Sequence, residues 1–330
     1  MKWYSTFTAA MMLLIFSLIS CASQSGKTVQ AGNSVTNIRV PQFNADSAYN
    51  FVKAQVDFGP RVMNSQAHDL CGDYLIGKLA EFGADVTSQK ADLSSYDGKI
   101  YKARNIIGSF NPEAKKRVAL FAHWDSRPWA DRDPDEKNHY TPIDGANDGA
   151  SGVGVLLEIA RQMGLEKPTI GIDIIFLDAE DAGNHASYTG EETEESWCLG
   201  SQFWGRNPHK SGYNARYGIL LDMVGSQGTV FKYEYYSEQY AKDINRKVWK
   251  VAGEQGFGKF FLKEGGGGAT DDHLFINKYA RIPTIDIVAS DPGCSFFKYW
   301  HTMKDNMDCI SKETLQAVGQ TLLHVLYNEK

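Results

Sequence analysis

Apolar and polar positions alternate along this chain with two periods. "ADSAYNFVKAQVDFG" and "AHDLCGDYLIGKLAEFGA" carry apolar residues at helical spacing, and each run stops at a glycine. Two helices are predicted there. Extended segments are predicted at "ADVTSQKADL" and "KARNIIGSF". Four β-rich runs follow: "RVALFAHWD", "TIGIDIIFLDA", "YGILLDMVG" and "IPTIDIVAS". Three of them are near-continuous Val, Ile, Leu or Phe, as expected of strands covered on both faces. Between and after them, helical spacing returns in "SGVGVLLEIARQMG", with Val153, Leu156, Leu157 and Ala160 on one side. It recurs in "SEQYAKDINRKVWKVAGEQG" and in "SKETLQAVGQTLLHVLYNEK", where Ser311 is the expected N-cap. Strands alternating with helices predict an α/β fold, a three-layer sandwich around a mixed, mostly parallel sheet.

In such sheets ligands bind beyond the carboxyl ends of the strands. Here those ends are polar. His123 and Asp125 follow the first run, Asp178, Glu180 and Asp181 the second, Asp222 the third, and Ser290 and Asp291 the fourth. Trp300 and His301 come a short loop later. Three acids within four positions repel one another, so a metal, a transferable proton or open solvent must accommodate them. Zinc takes imidazole nitrogen and carboxylate oxygen, usually with one position left open for catalysis. The candidate ligands are His123, Asp148, Glu180 or Asp181, Asp222 and His301. Taken singly, each reads equally as a cap, a turn acid or a structural histidine.

Composition narrows the picture. The chain has 330 residues, a net charge of −6 and no Lys/Arg block, which argues against a nucleic-acid partner. Lys2 and the apolar stretch "TAAMMLLIFSLIS" read as a signal segment, too short to span a bilayer comfortably. Leu18-Ile19-Ser20-Cys21 resembles the lipobox of bacterial lipoproteins. That resemblance implies cleavage before Cys21, lipid on its thiol and the periplasmic side of a bacterial envelope as the location. Ala22 favours the outer membrane. An ordinary signal peptide with a chance cysteine is the alternative. The expected organisation is a leader over 1–20, a polar tether over 21–40 and one catalytic domain over 41–330. A monomer is expected. Cys71, Cys198, Cys294 and Cys309 show no zinc-like spacing, and sequence does not pair them.

Taken in order, His123-Trp124-Asp125, "NDGASG", "LDAED", "LLDMVG", "DDH" and "WHT" resemble the zinc-dependent exopeptidase superfamily of co-catalytic aminopeptidases, over roughly residues 45 to 328. The resemblance implies Glu180 as general base and Asp181 as metal ligand. Asp stands here where that family more often has Glu, one methylene shorter. Asp178 is read as positioning the turn.

The superfamily holds two chemistries. Aminopeptidases use two zinc ions to activate water. The animal-type glutaminyl cyclases use one and close an N-terminal Gln into pyroglutamate with loss of ammonia. "YWHTMKDNMD" and "ATDDHLF" resemble the cyclase segments. That reading implies zinc on Asp148, Asp181 and His301. It makes Glu180, Asp222 and Asp271 a proton-sharing catalytic set, and peptides with N-terminal Gln the substrates. Asp222 and His123 stay ambiguous, because a two-zinc aminopeptidase would place both on metal. Asp271 also reads as the N-cap of a helix "DHLFINKYA". Trp300 reads as a pocket wall or as plain core. Trp197, with Trp124, Trp129 and Trp204, is a candidate apolar collar for substrate. "GEETEES" is either an acidic mouth for a free α-amine or a solvated loop. The long polar loop 127–142 is expected at the rim. A binding protein without turnover would lack Glu180 or a ligand, and this chain lacks neither.

Overall fold

The computed structural model describes residues 39–191, 193–294 and 296–330. The leader, Cys21 and the tether up to residue 38 lie outside the described residues. The strands in chain order are β1 (Asp85–Ser94), β2 (Ile100–Phe110), β3 (Arg117–His123), β4 (Gly171–Leu177), β5 (Gly218–Asp222), β6 (Phe231–Tyr233), β7 (Phe261–Gly265) and β8 (Thr284–Val288). The helices are α1 (Ala45–Val56), α2 (Gln66–Glu81), α3 (Ala150–Leu165), α4 (Leu199–Arg206), α5 (Tyr235–Tyr240), α6 (Lys242–Glu254), α7 (Asp272–Phe275) and α8 (Lys312–Tyr327).

Six strands form the central sheet in the order β1-β2-β4-β3-β5-β8. The pairings among β4, β3, β5 and β8 are parallel. Those that join β1 and β2 to the sheet are antiparallel. β6 and β7 make a small parallel ribbon of their own. This is the mixed sheet that the patterning predicts. β1, at one edge, alternates in burial. β3, β4, β5 and β8 are buried at every position, because helices cover both faces.

The layers are unequal. Ile172, Ile174 and Phe176 face a large core shared with α1, α2, α3, α6 and α8. Ile175 and Leu177, on the opposite side of the same strand, meet Phe121, Leu220 and Trp204 of α4 in a smaller core. α3 lies almost directly on the sheet. A Cβ at Gly152 would stand 2.4 Å from the Leu221 carbonyl oxygen, so only glycine permits this approach. The helix thereby holds the loop before it, and Asp148 within that loop, over the strand ends.

Three features differ from the sequence expectation. α3 is buried on nearly every side rather than along one stripe. The run 237–256 is not one helix. Ala241, at φ −146° and ψ 39°, breaks it into α5 and α6. The expected helix after Asp271 runs only to Phe275 as α and then widens into a π turn over Ile276–Ala280.

At the end of the sheet away from the polar strand ends, Asp173 is fully buried and takes hydrogen bonds from Arg117 (2.6 and 2.7 Å), Ser109 (2.6 Å) and Tyr213 (2.8 Å). Burial pushes the Asp173 carboxyl up. The Arg117 and Ser109 contacts outweigh that and hold it below the usual range. Arg117→Leu strands this charge and should cost about 3–5 kcal/mol in urea unfolding. Arg117→Leu combined with Asp173→Leu should recover much of the loss.

Candidate active site

The site is built first from backbone. Three buried carboxylates hold the strand ends in place. Asp125, after β3, accepts the N–H groups of Glu180 and Asp181 on its two oxygens, each at 3.1 Å. Asp178 accepts the N–H of Arg104 at 2.6 Å and of Ala179 at 3.0 Å, and pairs with His68 at 2.8 Å. Asp305 accepts the N–H groups of Asn147 (2.7 Å) and Asp148 (3.1 Å). Asp178 therefore positions the turn, as its sequence context suggests. Gly149, at φ +93°, is the pivot beside Asp148. A Cβ there would meet the Asp125 carbonyl oxygen at 2.6 Å.

Strain concentrates at this end of the sheet. Ala179, Cys198, Met223 and His301 all have left-handed backbone, with φ between 52° and 56°. Non-glycine residues pay for that conformation and keep it only where the surroundings enforce it. Each of the four adjoins or is a candidate site residue.

Asp148, Asp181 and His301 converge. His301 Nε2 is 3.1 Å from Asp181 Oδ1 and 3.8 Å from Asp148 Oδ2. One ligand atom from each lies within 4.8 Å of the others. Asp148 Oδ2 and Asp181 Oδ2 are buried and have no hydrogen-bond partner among the described residues. Two carboxylates with unused buried oxygens beside an imidazole nitrogen are a donor set that fits zinc. His301 Nδ1 faces Asp131 at 3.3 Å, and Arg127 in turn grips Asp131 at 2.6 Å. A carboxylate behind the ring fixes which nitrogen points forward.

His123, Asp148 and Asp222 form a second such group, and the two groups share Asp148. His123 Nε2 lies 3.1 Å from Asp148 and 3.2 Å from Asp222.

Glu180 turns the other way from Asp181. Its carboxyl lies with Asp271 and Cys198, with one ligand atom of each within 4.8 Å of the others. Burial pushes the Glu180 carboxyl well above its usual range. The His123 charge opposes this, and neighbouring Asp271 and Asp181 reinforce it. Burial likewise carries Asp222 up to about 8, and raises Asp271. Carboxyls this close raise one another's pKa values and titrate as a set rather than singly.

Eight of the sequence-predicted site residues line one cavity of about 540 Å³: Asp148, Glu180, Asp181, Asp222, Asp271, His301, Trp197 and Trp300, whereas His123 does not line it. Trp300 packs against His301, with ring centres 4.0 Å apart. Trp197 lies nearly parallel to the same ring, 6.5 Å away, under the Arg127 guanidinium. The rest of the expected collar is elsewhere. Trp124 is buried and stacks on His68, Trp204 sits in the smaller core, and Trp129 leans on His185. Arg127, Asp131 and Arg132 bring the long polar loop to the cavity. Glu194 also lines it, paired with Lys278 at 2.7 Å. Asp271 does two jobs, since its side chain also caps α7.

Sequence reading missed His68, Glu234 and Asp286, and gave Asp125, Asp131 and Asp305 no role. Glu234 caps α5, accepts the Ala269 N–H at 3.1 Å and meets His273 Nε2 at 3.0 Å, so it anchors the segment that carries Asp271. Asp286 is buried on β8 near Asp271 and His273. Alternating apolar residues around it gave no sign of this.

The family model for "Peptidase family M28" matches residues 105–326. A glutaminyl cyclase from Bacteroides thetaiotaomicron, bound to N-acetylhistamine in its crystal structure, is 66% identical. It superposes with a TM-score of 0.88 over 88% of this chain and 100% of that one. A leucine aminopeptidase precursor from Bacteroides thetaiotaomicron VPI-5482 is 65% identical, with a TM-score of 0.87 over 88% and 99%. Bovine glutaminyl-peptide cyclotransferase is 24% identical over 66% of this chain. The chain spans only 55% and 64% of the first two curated relatives it matches.

Glu234 yields a pH prediction. Burial would raise its carboxyl, but the His273 and Ser237 hydrogen bonds prevail and hold it at about 2 against the usual 4.5. A lowered folded pKa means that its contribution is complete above pH 4.5 and is lost as pH falls toward 2. The contribution is roughly 3 kcal/mol. In metal-free protein, Glu234→Gln should flatten the fall in stability across that window, read by denaturant melts at successive pH values.

Proposed function

The chain belongs to peptidase family M28, and on that premise we propose that it is a zinc-dependent glutaminyl cyclase acting on peptides and proteins with N-terminal Gln. Members of this family depend on zinc, and the chain carries candidate metal-binding residues. The observation that carries the reading is the splitting of the acidic doublet. Asp181 joins Asp148 and His301, while Glu180 faces Asp271. Cyclase structures at 54–66% identity support it.

In this reading Asp148, Asp181 and His301 would hold one zinc ion, which would supply a Lewis-acid charge for the side-chain amide carbonyl of the substrate. Glu180 takes a proton from the α-amine as its nitrogen bonds the amide carbon. It returns that proton to the amide nitrogen as the C–N bond breaks, and ammonia leaves. No water is consumed. Asp222 and Asp271 share protons beside Glu180 and keep it neutral or charged as each half-step requires. Trp197 and Trp300 flank a slot for the short Gln side chain. The nucleophile belongs to the substrate, so attack is intramolecular and needs no second metal to make hydroxide.

The shared Asp148 gives a second reading, a two-zinc aminopeptidase with His123, Asp148 and Asp222 around the second ion. We also propose that the chain is an exported lipoprotein held on the periplasmic side by lipid on Cys21. Labelled fatty acid should then enter the wild type and not Cys21→Ser.

Zinc-loaded protein should release ammonia from a Gln-peptide and no free amino acid from a Leu-peptide, and should hold one zinc per chain. Leu release with two zinc ions would establish the aminopeptidase instead. Glu180→Gln should lower kcat by about 10²–10⁴-fold without loss of zinc. Trp300→Ala should act mainly on KM.

A further inference from the structure

A general base works only if its carboxyl is held in one orientation. Glu180 lies just past the end of β4 and lines the cavity, on a side chain with three rotatable bonds. Among the described residues its carboxyl has one hydrogen-bond donor, the thiol of Cys198, with Sγ 3.2 Å from Oε1. Cys198 is fully buried and does not line the cavity. It stands behind the base rather than in the path of substrate.

We propose that Cys198 is a positioning residue for the reaction. Its S–H bonds Oε1 and leaves Oε2 of Glu180, which faces His123 Nδ1 at 3.9 Å without a hydrogen bond, to exchange a proton with the substrate. The inference rests on Glu180 being the base of the proposed cyclase.

The backbone is arranged for this contact. The N–H of Cys198 bonds the Glu180 carbonyl at 3.1 Å, Leu199 bonds Ala179 at 3.0 Å, and Gly200 bonds Asp178 at 3.0 Å. Three successive bonds zip the segment entering α4 onto the segment carrying the base. A left-handed φ of 55° at Cys198 aims the side chain at Glu180. Glycine would accept that conformation without strain, so what the cysteine adds is its thiol. The thiol remains a donor, because burial and the neighbouring carboxyls push it well above its usual range. An S–H···O contact is weak. A weak donor suits the task, which is to choose a rotamer rather than to stabilise a charge.

The test compares wild type, Cys198→Ala and Cys198→Ser in the full zinc-loaded chain, with ammonia release from a Gln-peptide as readout. Cys198→Ala should lower kcat roughly ten-fold, with KM and bound zinc unchanged. Cys198→Ser keeps an O–H donor and the same backbone cost, and should retain most of kcat. Wild-type kcat in Cys198→Ala, or equal losses in the Ala and Ser variants, would overturn the proposal. Should Cys198→Ala fail to fold, infrared spectra decide. The S–H stretch that disappears in Cys198→Ser should move to higher frequency in Glu180→Ala, and an unmoved band would overturn the proposal. A wild type that releases no ammonia sinks the cyclase reading itself, which is a different outcome from an active wild type indifferent to Cys198.

Discussion

Like charges in a poorly solvated crevice set the terms for this molecule. Asp148, Glu180, Asp181, Asp222 and Asp271 crowd one end of a sheet, nearly all withdrawn from water. Left alone, such groups would swell the site or take up protons until they were inert. The fold meets this in three ways. Cationic and imidazole groups, chiefly His123, His301 and Arg127, are interleaved with the acids. Where acids face one another, burial and mutual repulsion raise their pKa values, which eases the uptake of a proton. A second set of acids, Asp125, Asp178 and Asp305, is turned onto backbone N–H groups, which fixes the main chain beneath the reactive acids.

The parallel strands make this possible. β3, β4, β5 and β8 run the same way, so their last residues arrive together although they are far apart in sequence. α3, seated against β5 through Gly152, delivers Asp148 to the same place. The ion cluster at Asp173 stands at the other end, where it can serve stability without disturbing the chemistry.

Much of this was legible from residue order. The six strands of the sheet come from continuous or alternating apolar runs, and eight of the residues that line the cavity come from acids, His and Trp at strand ends and in ordered motifs. What was not legible depends on contacts between distant positions. His68 meets Asp178 across 110 residues, and Asp305 meets Asn147 across 158. No local pattern announces either. The break at Ala241 is hidden because both sides keep helical composition. The tryptophans mislead because an indole serves a core and a pocket equally well. Trp204 fills the space against Phe121, while Trp197 lies over a glycine, Gly183, that leaves room for its ring.

Left-handed residues at four points around the crevice have a further consequence. Each is a sharp corner with no slack, locked by bonds on either side. The acids at the strand ends therefore form a floor that cannot be re-spaced by small steps. Among the described residues, the loops over 127–142 and 184–197 carry no such corner, and they contribute residues such as Arg132 and Tyr188 to the cavity. Variation is thus confined to the rim, where a loop can lengthen or change charge while the spacing of the acids below stays the same.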